Sequence, residues 1–186
     1  MNIIELTDSL ERCPVIPAIK DGGWAAALSS PAEILFYLKA NIITLPTKIK
    51  EAHENGKKIF VHIDLAEGIA KDKAALQHLK SLGCDGIITT KNQIIRYAKE
   101  LSLLTVQRCF ALDSQGTACI NELLDISSPD MLEIMPGVIG KVIERFAGGN
   151  IPVIAGGLIE TKDEVTNALS HGATAVSTGK QDLWYI

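Results

Sequence analysis

Aromatic residues make up only 5% of the 186 positions, and no unbroken apolar run approaches the roughly 20 residues that a membrane span needs. The chain also has no excess of positive charge. Its 18 Lys and Arg face 22 Asp and Glu, for a net charge of -4, the wrong sign for a protein that holds nucleic acid by general attraction. Any RNA or DNA partner must then meet a local patch. The N-terminal "MNIIELTDSLERCP" carries acids where a secretory leader carries bases, which predicts a cytoplasmic protein with no membrane partner. The four cysteines, Cys13, Cys84, Cys109 and Cys119, show no CxxC spacing and sit in or beside apolar runs. They are expected to be buried free thiols in a reducing compartment, not disulfides or a zinc site. An early glycine-rich dinucleotide fingerprint is missing, as are the H-E-x-x-H and G-x-S-x-G signatures of metalloproteases and serine hydrolases.

What the chain does have is apolar material, 47% of its residues against 22% charged, enough for one packed core and a single domain over 1–186. Short Val- and Ile-rich runs alternate with helical patterns, as in repeated βα units around a parallel sheet. The strand candidates are 15–19, 34–38, 58–63, 85–89, 104–108, 131–135, 152–156 and 174–178. This is about the number that closes a TIM barrel. Between them, "TKDEVTNALSHG" sets Val165, Ala168 and Leu169 on one stripe, opens with Thr161 and Glu164 at capping-box spacing, and stops at Gly172. "DKAALQHLKSLG" repeats the design before Gly83, and Ile94, Ile95, Ala98 and Leu101 form a similar inward face. The segment "WAAALSS" is short and no helix is predicted after the last strand. The expected fold is therefore a minimal (βα)8 TIM-like barrel, truncated at its ends and smaller than the usual ~250 residues. An open doubly wound sheet is the rival.

Chemistry in a barrel sits at the C-terminal ends of its strands, and here those ends are polar. Lys20 and Asp21 follow the first strand, His62 and Asp64 the third, Thr89 and Lys91 the fourth, and Arg108 ends the fifth. Glu133 lies in the apolar sixth strand, where an unpaired carboxylate is costly, so it needs a cation such as Arg108 or Lys20; Gly137 follows it in "MLEIMPG". Strand alternation puts His62 and Asp64 on one face, a pair suited to binding hydroxyls, to acid and base work or, less well, to a metal with Glu67. After strand seven, Gly156 and Gly157 let backbone approach an anion; after strand eight, Ser177, Thr178 and Gly179 offer hydroxyl and amide donors. These two loops are where barrels commonly hold phosphate, although tight turns and caps use the same residues. Lys91 is either a solvated helix-end charge, a phosphate ligand or the Schiff-base lysine of an aldolase. For nucleic acid, the only local clusters are Lys48, Lys50, Lys57 and Lys58, and Lys91, Arg96 and Lys99.

The motifs "HIDLAEG", "DGIITTK", "QRCFALDS", "PDMLEIMPG", "IAGGLIETK" and "AVSTGKQDLW", in this order, closely resemble the glycerol-3-phosphate-responsive antiterminators, the glycerol uptake operon antiterminator regulatory proteins. The resemblance runs from "VIPAIKD" at residue 15 to Trp184. It implies a TIM-barrel-like regulator that senses glycerol 3-phosphate and then binds the leader mRNA of the glycerol 3-phosphate dehydrogenase message to prevent premature termination. On that reading the ligand-binding set is Lys20, Asp21, His62, Asp64, Thr89, Lys91, Arg108, Glu133 and Gly137. The phosphate falls to Gly156, Gly157, Ser177, Thr178 and Gly179, with no cofactor, metal or catalytic residue. The expected partners are glycerol 3-phosphate and leader mRNA, with a homodimer as a candidate assembly. The "TTK" of residues 89–91 replaces an expected "STK", and Lys180 departs from the small residue expected there. The alternative of a different class is a barrel enzyme, an isomerase, aldolase or phosphodiesterase, on a small phosphorylated substrate.

Overall fold

The structure is a computed structural model that describes residues 3–20 and 22–186. Its eight strands form a closed parallel barrel in sequence order. They are β1 (Val15–Ile19), β2 (Ile34–Tyr37), β3 (Lys58–His62), β4 (Gly86–Thr89), β5 (Leu104–Phe110), β6 (Met131–Met135), β7 (Val153–Gly156) and β8 (Ala175–Thr178). All eight expected strands are present, with ends displaced by two residues at most. The helices are α1 (Ile3–Arg12), α2 (Trp24–Ser29), α3 (Leu45–Glu54), α4 (Lys73–Ser81), α5 (Asn92–Glu100), α6 (Ser114–Ser127), α7 (Gly140–Ala147) and α8 (Lys162–Ser170). None of the described helices is long and apolar enough to cross a membrane.

Strands buried on both faces need apolar side chains on both, and the core divides accordingly. One cluster fills the barrel: Ile16, Ile34, Phe36, Phe60, Ile88, Leu104, Val106, Met131, Ile154 and Ala175. The other, which includes Leu35, Val61, Ile87, Ile134 and Val176, packs the outer faces of the strands against the helices. Residues of one strand alternate between the two clusters, as the pleat requires. Gly86 belongs to the first cluster by its absence of a side chain, because a Cβ there would lie 2.3 Å from the Phe60 ring.

Helix α1, which the sequence reading missed, puts Leu6 and Leu10 into the barrel cluster and so closes its N-terminal end. Its last turn is tied down by Arg12 Nη2, 2.6 Å from Glu33 Oε2, and by Ser9 Oγ, which donates to the same oxygen at 2.7 Å. A second correction lies beyond β8, where no helix was expected and a 3-10 helix spans Gln181–Tyr185. Trp184 is buried in it and donates Nε1–H to the Thr178 carbonyl at 2.8 Å, while the Tyr185 hydroxyl donates to Ala26 O at 2.8 Å. The predicted caps form. Thr161 and Glu164 make a reciprocal capping box on α8, and Asp72 accepts from Ala75 N on α4. Three of the cysteines are buried free thiols, but Cys119 is exposed, because it lies on the outer side of α6 away from both clusters.

Candidate functional site

At the mouth of the barrel, the register of β5 and β6 sets Arg108 beside Glu133, and that of β7 and β8 sets Gly156 beside Ser177. All face inward by strand alternation. Glu133 has no exposed surface. Its Oε2 accepts from Arg108 Nε at 2.6 Å and its Oε1 from Ser177 Oγ at 2.6 Å. Arg108 is therefore the cation that this carboxylate required. A Cβ on Gly156 would lie 2.5 Å from Glu133 Oε1 and 2.7 Å from Ser177 Oγ, so residue 156 must be glycine for the cluster to close. Among the described residues, the terminal nitrogens Nη1 and Nη2 of Arg108 have no hydrogen-bond partner.

His62 ends β3 with only 2% of its surface exposed, and its Nδ1 is the one buried side-chain atom without a partner among the described residues. Burial, and after it the Arg108 charge, lower its pKa from the ordinary 6.5 to about 4, so the ring is neutral near pH 7. The expected His62–Asp64 pair does not form. Asp64 turns instead to β4, accepting from Thr89 Oγ1 at 2.8 Å, from Thr90 N at 2.7 Å and from Thr90 Oγ1 at 2.9 Å. Burial pushes the Asp64 carboxyl up, but these donors outweigh it and hold the group below its ordinary value. A buried imidazole nitrogen left without a partner is costly.

Over the Arg108–Glu133–Ser177 cluster lies a cavity of about 190 Å³ whose lining includes Lys20, Arg108, Glu133, Gly157, Ser177, Thr178 and Gly179, but not His62, Gly137 or Gly156. Those lining residues, read from separate turns of the sequence, are thus brought together. Thr89, Asp64 and Lys91 are not; they stand on the β3–β4 side, where Thr89 Oγ1 also accepts from Lys91 N at 3.2 Å and the Lys91 side chain is exposed. Asp21 lies outside the described residues. Apolar lining from Leu38, Met135 and Leu158 went unnoticed in a reading that followed polar groups alone.

The glycine and hydroxyl turns have structural duties beside any ligand role. Gly137 N donates to Gly156 O at 2.6 Å and to Gly157 O at 3.1 Å, which clamps the loop after β6 onto the loop after β7. Gly157 has φ +77°, followed by Leu158 at φ +61°, two successive left-handed residues of which the second is not glycine. Thr178 Oγ1 donates to Ile159 O at 2.7 Å and accepts from Lys180 N at 3.1 Å, while the Ser177 proton is held by Glu133. An anion entering here would therefore meet the free end of Arg108 and backbone N–H groups before any hydroxyl proton. The expected lysine clusters on the flank are committed elsewhere: Lys48 to Glu51 at 2.9 Å, Lys50 to Glu54 at 3.7 Å, Lys58 to Asp85 at 3.4 Å and buried Lys57 to the Ser30 and Ala32 carbonyls.

The Escherichia coli (strain K12) protein YgcP is 34% identical over 181 residues, covering 94% of this chain and 93% of that protein. A crystal structure of the glycerol uptake operon antiterminator regulatory protein from Listeria monocytogenes matches with a TM-score of 0.85 at 33% identity, over 92% of this chain and 95% of that one. A glycerol uptake operon antiterminator-related protein from Thermotoga maritima matches with a TM-score of 0.83 at 32% identity, over 91% of this chain and 96% of that one. The family model described as glycerol-3-phosphate responsive antiterminator matches residues 15–184. The chain belongs to the glycerol-3-phosphate responsive antiterminator family.

Proposed function

We propose that this chain is a cytoplasmic sensor of glycerol 3-phosphate which, when loaded, binds leader mRNA of the glycerol 3-phosphate dehydrogenase operon and prevents termination. The observation that carries the reading is the buried Glu133–Arg108–Ser177 cluster lining an open cavity, with the unpartnered Nδ1 of His62 buried nearby. Each part matches one part of a phosphorylated polyol. The outer edge of Arg108 offers two N–H groups to a phosphate, the fork geometry that guanidinium supplies and ammonium does not. Glu133 accepts one bond at each oxygen and retains a lone pair at each for a ligand hydroxyl; His62 Nδ1 offers a further site. Since Arg108 and Glu133 cancel, exposed Lys20 at the cavity edge supplies the net positive charge for a dianion.

The aldolase alternative finds less support. A Schiff-base lysine is activated by desolvation or by a neighbouring cation, and both Lys20 and Lys91 are exposed to water. Titration calorimetry tests the reading with three probes: glycerol 3-phosphate, glycerol and inorganic phosphate. The expected result is tight binding of the first and weak binding of each fragment. Equal affinity for inorganic phosphate and glycerol 3-phosphate would remove Glu133 and His62 from the ligand site.

A further inference from the structure

The way the mouth face carries charge differs from the rest of the surface. Around the flanks and the N-terminal end, several cations have partners: Arg12 with Glu33, Lys58 with Asp85, Lys73 with Glu100 and Lys99 with Asp130. At the mouth face, Lys20, Lys71, Lys91, Lys141 and Lys162 are all exposed, and their ammonium groups make no hydrogen bond or ion pair with the described residues. Three of them sit where a cation is least welcome. Lys91 is the N-cap of α5, Lys141 the second residue of α7 and Lys162 the first of α8, each facing the positive end of a helix dipole. Acids share the face and keep their charge, but none of the described ones pairs with these five lysines. Asp64, Asp72, Asp113 and Glu164 are held by backbone amides, Glu160 pairs with Lys180, and Glu67 accepts from Asn41. Among the described acids of this face, Asp163 and Asp182 make no such bond.

Interleaved with these lysines are large apolar side chains that water should not meet. Ile43 is 83% exposed, Leu65 47%, Phe110 50%, Leu112 78% and Leu158 70%, and each lies at or just beyond the C-terminal end of a barrel strand. Beside the ligand cavity, a hollow of about 360 Å³ opens between Leu112 and α7, with Lys141 and Arg145 on its wall. Unpaired cations next to an exposed aromatic and apolar groups are the elements that hold an unpaired nucleic-acid strand, phosphates on lysine and bases on ring and aliphatic faces.

We infer that the mouth rim itself is the RNA-binding face: single-stranded leader RNA lies across it, its backbone on Lys71, Lys141 and Lys162 and an unstacked base against Phe110 and Leu112. This rests on the function proposed above. A second copy of the chain fits the face poorly, because a two-fold dimer would set one lysine-rich rim against another. RNA on this face covers the ligand cavity. The sensing step and the RNA contact then share one surface, joined by the bond from Ala111 N to Met135 O at 2.8 Å, with Met135 in the cavity lining.

The test uses the full chain and a labelled transcript of the untranslated leader upstream of the glycerol 3-phosphate dehydrogenase gene of the same genome, at saturating glycerol 3-phosphate. The rim variant Lys71→Gln/Lys141→Gln/Lys162→Gln should bind this RNA about tenfold or more weakly near 0.15 M salt, with a salt slope lower by about 2, three phosphate contacts at ~0.7 each. Phe110→Ala should lose about tenfold with its slope unchanged. A flank variant, Lys48→Gln/Lys50→Gln/Lys99→Gln, should bind RNA as the wild type does, and all three should retain glycerol 3-phosphate affinity by calorimetry. Wild-type RNA affinity in the rim variant, or its loss in the flank variant, overturns the inference and leaves the functional reading standing. A wild-type chain that takes glycerol 3-phosphate but no leader RNA overturns the functional reading, and the inference with it. A dimer that the rim variant alone dissociates, seen by light scattering, would give the face to a second copy.

Discussion

At the N-terminal end of the barrel, Leu6 and Leu10 of α1 seal the interior, and the nearby charges of Arg12, Glu33 and Lys57 all find partners within the chain. At the other end, Glu133 is fully buried, and among the described residues Arg108 extends two nitrogens to no acceptor and His62 Nδ1 has no partner. The named charges of one end are paired and its barrel interior is sealed, although Ile4 of α1 stays 70% exposed; the other end leaves a buried nitrogen unpartnered. Because an unsatisfied buried group lowers stability, its place at the mouth end supports the proposed ligand site there, while the opposite end serves to hold the fold.

That contrast predicts how variants divide. The largest effect is expected at Arg108. Arg108→Met leaves Glu133 as an uncompensated buried charge and should lower stability by about 3–5 kcal/mol in urea unfolding. The double variant Arg108→Met/Glu133→Gln should recover most of that stability while calorimetry still shows glycerol 3-phosphate affinity lost. Recovery of affinity in the double variant would break the contrast. At the closed end, Leu10→Ala should cost about 2–5 kcal/mol by cavity formation, with ligand affinity of the folded protein unchanged.

A third prediction concerns pH. His62 titrates near 6.5 when unfolded and at about 4 in the fold, so between those values the unfolded chain binds a proton that the folded chain does not. Stability is then greatest above pH 6.5 and falls as pH drops toward 4, by about 3 kcal/mol in total. His62→Gln should flatten urea-unfolding stability across this window; an unchanged slope would detach His62 from the effect. The smallest change is expected at Lys180, whose ion pair with Glu160 at 3.4 Å is exposed at both ends. Lys180→Ala should shift stability by less than about 1 kcal/mol and leave ligand affinity alone.

Much of this fold can be read from period alone. The eight strands and the stripes of α4, α5 and α8 follow from where apolar residues recur, and Thr161 with Glu164 marks a helix start by spacing. Helix α1 escaped because its role depends on an open barrel end that only the closed sheet creates. In the site, the need of Glu133 for a cation was legible from a carboxylate in an apolar strand, and Arg108 answered it. Gly156 was not: read as a turn for phosphate, it is also the gap that admits the Glu133 carboxylate, a consequence of register between neighbouring strands. Asp64 likewise depended on which hydroxyls β4 would bring to it.

The most direct test of the account is phosphorus NMR of glycerol 3-phosphate titrated with the protein and left overnight. The account predicts that the resonance broadens or shifts with the wild-type chain, that no new resonance grows, and that Arg108→Met/Glu133→Gln leaves it sharp. A resonance unaffected by the wild-type chain, or a product peak, would contradict a sensor built on the open end of this barrel.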